Sequence, residues 1–168
     1  PLDVDRWTAD IESVMEAARP EGKVTLLGIS QGAVACIDFA IRHPERVTHL
    51  PLYAPLVTGW RGRTSPSSQQ WQLMEQLVLT GWGGANMAFP SMFAHLFVPQ
   101  SAPETRHWYA ELQRKMATKE VASRFMSVLA QLSMFRRLKE VRVPTLVIQI
   151  AHDQVVFFTD RSLYRPGQ

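Results

Sequence analysis

A single cysteine, Cys36, stands among 168 residues, which excludes an internal disulfide and any cysteine-ligated metal cluster. No apolar run approaches the roughly 20 residues that a bilayer span needs. The sequence also lacks an HExxH pair, a carboxylate cluster and a glycine-rich phosphate loop, so metal and nucleotide chemistry have no support and no cofactor is implied. Charge of one sign is scarce: 18 Lys and Arg against 15 Asp and Glu leave a net of +3, with a pI near 9.4. That excess is too small and too dispersed to imply a nucleic-acid partner. The densest basic stretch, Phe135 to Arg142, has apolar Phe135, Leu138 and Val141 and reads as the solvated face of a helix end or connector. The first residues given, PLDVDRWTAD, are acidic with no hydrophobic core region and are not expected to be a signal peptide. Together with the solitary thiol this gives an expectation of a cytoplasmic setting. The chain has no initiator methionine and is expected to be a piece of a longer one.

What is present is the composition of one globular domain, 46% hydrophobic and 20% charged, at a length that buries a real core. Val4, Trp7, Ile11, Val14, Met15 and Ala18 make one stripe of a helix over 3–18, stopped by Arg19-Pro20-Glu21-Gly22. Val24, Leu26, Leu27 and Ile29 leave no polar face over 23–29, which reads as a strand covered on both sides in a parallel sheet. A helix over 31–42 ends before Pro44, and VTHLPLYA at 47–54 is the next strand, although Pro51 would remove a ladder hydrogen bond. Strand, helix, strand implies βαβ units. From Leu56 to about Val141 no strand is evident. Helices are expected at 68–79, 103–117 and 119–134, the second introduced by Ser101-Ala102-Pro103-Glu104 and the third apolar at Val121, Phe125, Val128, Leu129 and Leu132. Strand character returns at 144–150.

Gly28-Ile29-Ser30-Gln31-Gly32 occupies the seam between the first strand and the second helix. A glycine-x-serine-x-glycine seam of this kind is the nucleophile elbow, a sharp turn that projects a serine hydroxyl above the sheet edge. Side chains two residues before and two after the serine are expected to collide, so Gly28 and Gly32 are expected to be needed. The helix beyond points its positive end at the reacting oxygen, with the Gln31 amide as an oxyanion donor. Cys36, one helical turn further on, is expected to pack under the sheet.

LLGISQGAVACIDFAIRHPERVTHLPLYAP and VPTLVIQIAHDQVV together resemble the α/β-hydrolase superfamily. The helical stretch with Trp60-Arg61-Gly62-Arg63, FAHLFVPQ and HWYAELQRKM is similar to the cap of hydrolase modules found alone or fused to bacterial signalling proteins. The resemblance implies an α/β-hydrolase fold, a parallel sheet with helices on both faces, in which a core of 1–57 and 141–168 carries a helical cap insertion at 58–140 and the N- and C-terminal parts are missing. It implies Ser30 as nucleophile and Asp153 as the acid that orients a histidine base, with His152 a loop residue. It implies a serine esterase-like hydrolase acting on a small ester or acyl substrate, without nucleic-acid or membrane partners.

The pattern also departs from the family. No histidine follows His152, and His43, His49, His95 and His107 are poorly placed to replace the base. Phe157 stands where the family has proline. Trp60, Trp82 and Trp108, with Met87, Met92 and Phe93, are expected to form either a substrate pocket or the core of the helical insertion. Two readings follow: a serine hydrolase whose histidine is not in this chain, and a catalytically inactive ligand-binding or regulatory module that keeps the elbow as scaffold. A sheet lacking its flanks is expected to self-associate through exposed strand edges.

Overall fold

The computed structural model describes residues 3–61, 66–83, 86–151, 153 and 155. His152 and the tail from 156 onward lie outside the described residues. The chain divides into two compact units, a sheet unit of Pro1–Gly59 with Leu132–Gln168 and a helical unit of Trp60–Gln131.

In the sheet unit α1 (Val4–Ala18) begins where the Asp3 carboxylate accepts the Arg6 N–H and ends at Arg19, left-handed with φ 44°. Strands β1 (Val24–Thr25) and β2 (Gly28–Ile29) lie along one side of the central β3 (Val47–Tyr53), and β4 (Thr145–Ile148) lies along the other, all parallel. The single strand expected at 23–29 is therefore interrupted at Leu26-Leu27, and Pro51 accounts for the break. Leu26 N–H donates to the His49 carbonyl and Ser30 N–H to the Tyr53 carbonyl, so the odd residues of β3 face this neighbour. Residue 51, between them, has no N–H to give.

Helix α2 (Gly32–Arg42) is buried from Ala33 through Ala40, the all-round burial of a helix enclosed by other elements. It packs against α1, β2 and β3. Leu50 and Leu52 of β3 share a cavity with Ile37 of α2 and with Thr145 and Val147 of β4. Side chains alternate along a strand, so Ile29, Pro51, Tyr53, Leu146 and Ile148 face the opposite way. The expectation that 23–29 is covered on both sides fails there, since Leu27 and Ile29 are 56% and 54% exposed.

A buried charge ties the helices together. Asp38, fully buried in α2, accepts from the Thr8 hydroxyl of α1 at 2.8 Å, from Arg42 Nε at 2.7 Å and from Arg137 in the 3-10 helix Phe135–Glu140. The basic stretch expected to be merely solvated thus sends one arginine inward, its head satisfying an acid that would otherwise be costly to bury.

The helical unit contains α3 (Pro66–Gly81), α4 (Ala88–Phe97), α5 (Pro103–Met116) and α6 (Lys119–Ala130). α4 was not anticipated from the sequence. Ser101 does not form the expected capping box: Ala102 is the N-cap of α5, Pro103 opens the helix, and the Ser101 hydroxyl donates back to the Val98 carbonyl. α6 stops at Ala130, four residues short of expectation, because 132–134 pair with 57–59 in the sheet unit, where Gly59 N–H donates to Leu132, Ser133 bridges Thr58 and Met134 N–H donates to Val57. Val121, expected on the buried face of α6, is 47% exposed. Buried Glu75 of α3 accepts from Trp60 Nε1, Arg61 and the Ser127 hydroxyl of α6, joining α3 to α6.

Removing the buried acid tests the sheet unit. Asp38→Ala is expected to lower unfolding free energy by about 2–3 kcal/mol, short of the full cost of breaking a buried pair because both arginines remain partly hydrated. Arg42→Ala is expected to cost under about 1 kcal/mol. Urea denaturation followed by circular dichroism measures both.

Candidate active site

Ser30 lies between the end of β2 and the start of α2 with φ 50°. A left-handed conformation is unfavourable for any residue with a Cβ, by roughly 1–2 kcal/mol, and three backbone bonds hold it. Ser30 N–H donates to the Tyr53 carbonyl at 2.9 Å, and the Ser30 carbonyl accepts from Ala33 N–H at 3.2 Å and Leu56 N–H at 3.1 Å. Among the described residues the Ser30 hydroxyl has no hydrogen-bond partner. The kink at the expected place is the geometry the sequence pattern foretold.

The two glycines differ. A Cβ built at Gly28 would lie 2.7 Å from the Ala33 Cα and 3.1 Å from a Leu52 methyl, so the backbone crossing between β2 and α2 admits only glycine. At Gly32 a Cβ meets nothing within 4 Å. The steric requirement expected at both positions therefore holds at Gly28 alone.

Gln31 takes an ordinary helical conformation as N-cap of α2, and its carbonyl accepts from Val34 N–H. Its own N–H has no acceptor among the described residues, as the first turn of a helix requires, and stays available to an anion. Asp153 follows β4, half-buried, with its N–H toward the Ile150 carbonyl at 3.4 Å and its Oδ1 accepting from Val155 N–H at 2.8 Å. Ser30 and Asp153 thus lie past the carboxyl ends of β2 and β4, the two strands beside β3, where open parallel sheets place their ligands.

No histidine described in the sheet unit adjoins Ser30. His43 ends α2, whose 11 residues rise about 16 Å, and its Nε2 lies 3.0 Å from Glu12 Oε1. His49 is exposed in β3, four residues before Tyr53, a run of about 13 Å. His95 and His107 belong to the helical unit. Cys36 is buried beneath Leu27, its Sγ 3.7 Å from the Leu27 carbonyl, and burial pushes its thiol up to about 11, so it stays protonated and unreactive near neutrality. The tryptophans divide. Trp60 is buried against Trp71, and Trp82 packs edge-on to buried Phe93 and donates to the Ala117 carbonyl, whereas Trp108 is 60% exposed. Trp60 and Phe93 are thus buried in the helical unit, while Trp60 and the half-buried Trp82 also line separate open cavities of that unit.

One residue near the site gave no sequence signal. Ala54, buried and left-handed at φ 43°, follows β3 and donates to the Ile148 carbonyl of β4 at 2.8 Å. This turn brings Leu56 N–H onto the Ser30 carbonyl, so it links the ends of all three strands. Alanine carries no preference for this conformation, and pattern reading could not have found it.

Substitution separates the two glycines. Gly28→Ala is expected to destabilise by about 1–3 kcal/mol, the usual cost of overpacking. Gly32→Ala is expected to be neutral or stabilising by up to about 1 kcal/mol, since alanine is the better helix former. Thermal melts of the two variants beside the parent check this.

Among the described residues no helix is long and apolar enough to cross a membrane. The family model described as "Serine aminopeptidase, S33" matches residues 2–164. No curated protein matches the chain. Among solved structures it is similar to an esterase from Exiguobacterium antarcticum, with TM-score 0.76, 20% identity, and coverage of 93% of this chain and 58% of that one. It is similar also to a hydrolase from Pseudomonas aeruginosa, with TM-score 0.72, 18% identity, and coverage of 97% and 59%. An enol-lactonase from Burkholderia xenovorans gives 0.62, 18%, and coverage of 90% and 56%. At such identities the likeness shows the fold, and the chain spans under two thirds of each of these structures. With a left-handed serine between strand and helix and a family model matching nearly its whole length, the chain belongs to the serine aminopeptidase S33 family of α/β-hydrolases.

Proposed function

We propose that the chain carries the nucleophile and acid of a serine hydrolase acting on a small carboxylic ester or related acyl substrate. The observation that carries the reading is Ser30, held left-handed at the head of α2 with a hydroxyl unengaged among the described residues. In this reading Ser30 Oγ attacks the acyl carbon while a histidine takes its proton. The Gln31 amide and the positive end of α2 stabilise the oxyanion, the histidine returns the proton to the leaving alcohol, and water then releases the acid. Asp153 orients that histidine, which is not in this chain. A serine at the elbow argues against the carboxylate-nucleophile branches of the superfamily, and an esterase and an enol-lactonase among similar folds are in keeping with acyl transfer. The division into a core of 1–57 and 141–168 and a cap insertion of 58–140 belongs to the same proposal.

A second reading is an inactive ligand-binding or regulatory module. One observation favours it: among the described residues of the sheet unit no histidine lies near Ser30.

A fluorophosphonate probe tests both readings. The 168-residue chain is expected to label at Ser30 no faster than its Ser30→Ala variant, because a serine without its base is not activated. Rapid labelling at Ser30 would show a complete site and overturn that expectation. A longer natural chain that includes a histidine beyond residue 168 is expected to label quickly at Ser30. Silence there selects the inactive module.

A further inference from the structure

We infer that the helical unit carries a second binding site, a groove along α3 that takes a neutral polyhydroxylated molecule of the size of a mono- or disaccharide. The inference does not rest on the hydrolase reading. Surface helices ordinarily carry charge on the side turned to water. In α3, however, Glu75 alone of 16 residues is ionisable, and it is buried. Gln69, Gln72, Leu73 and Gln76 follow at helical spacing, so they share one face, and all four are exposed. Together with Trp60, Arg61 and Glu75 they line a cavity of about 570 Å³, inside the range of roughly 300–1,000 Å³ that small-molecule sites occupy. The lining lies within 60–76, in a unit whose two ends, Trp60 and Gln131, both continue into the sheet unit. The groove therefore belongs to a unit that the chain contains from end to end.

The chemistry of the lining selects the ligand. Glu75, its side chain 8% exposed, accepts on Oε1 from Arg61 at 2.6 Å and from the Ser127 hydroxyl at 3.1 Å. On Oε2 it accepts from Trp60 Nε1 at 3.3 Å. A carboxylate has about four acceptor positions, so among the described residues Oε2 keeps room for one more O–H or N–H donor. Arg61 and Glu75 pair with each other, which leaves the lining without net charge and offers neither an anion nor a cation a counter-ion of its own. Each glutamine amide combines two N–H donors with an acceptor oxygen, a mixed set that matches hydroxyl groups, which both give and take hydrogen bonds. A purely apolar ligand would leave the carboxylate and the amides facing nothing they can bond. The Trp60 indole and the Leu73 side chain supply the apolar surface against which the C–H faces of a sugar ring lie.

Titration of the whole chain, followed at the indole Nε1–H resonance of Trp60, tests the proposal with methyl β-D-glucoside and maltose as probes. A saturable shift at millimolar sugar is expected, while the indole of Trp108, 60% exposed and outside the lining, stays in place. Gln72→Ala and Gln76→Ala, both at exposed positions, are each expected to weaken binding about threefold or more by removing a hydrogen-bonding amide. Gln70→Ala, exposed on the same helix but outside the lining, is expected to leave binding unchanged. Thermal melts of the three variants separate loss of binding from loss of fold. The absence of a saturable shift with either sugar overturns the proposal, as do variants at 72 and 76 that bind like the parent. So does a shift produced by ethylammonium, acetate or N-methylacetamide in place of the sugars, which assigns the groove to a cation, an anion or a peptide group. A longer natural chain containing residues 60–131 is expected to give the same shift, and its failure to do so overturns the proposal as well.

Discussion

The bond from Ser30 N–H to the Tyr53 carbonyl, with Leu56 N–H returning to the Ser30 carbonyl, is the constraint around which the sheet unit is arranged. It forces a serine into a conformation its Cβ disfavours, and the surroundings must therefore over-determine the turn. Gly28 lets β2 and α2 cross closely enough for the turn to close. The buried length of α2 fixes the direction of the helix that leaves it. The left-handed Ala54 anchors the opposing loop to β4 at Ile148. Sequence-local geometry becomes a site because three strand ends are bonded to one another at that point.

The same unit is anchored at depth by Asp38, which draws Thr8, Arg42 and Arg137 from three helices onto one carboxylate. Below the elbow the helix is thus held by charge and packing together, while the opposite face of the sheet carries apolar side chains open to water. The well-packed side is the one that positions Ser30.

Much of this could be read in the residues. The seam at Ser30 was legible because glycine, serine and glycine mark a turn only where a strand ends and a helix begins, and both flanking patterns are strong. The family was read from the resemblance carried by LLGISQGAVACIDFAIRHPERVTHLPLYAP and VPTLVIQIAHDQVV, whereas the parallel order and the helices at α1, α2 and α5 followed from periodicity. Other features left no such trace. Pro51 was recognised as a missing donor, but its effect falls on the neighbouring strand at Leu26-Leu27, which only register reveals. Helix α4 follows a short loop and carries Pro90 inside its sequence, which masks its period. The segment 132–134 continues the apolar pattern of α6, so tertiary pairing with 57–59 and not propensity ends that helix. Arg137 lies in a basic run, and nothing local distinguishes the one arginine that reaches Asp38. Gly32 looked like Gly28 on paper because sterics depend on what approaches from elsewhere in the chain.

Everything functional proposed for the chain depends on the backbone of one residue, and a nuclear Overhauser spectrum measures it directly. Positive φ brings an amide proton close to its own Hα, so the account predicts an intraresidue amide–Hα cross-peak at Ser30 far stronger than those of the extended residues in β3. A Ser30 peak as weak as those of its extended neighbours would show an ordinary backbone there, and would contradict the elbow.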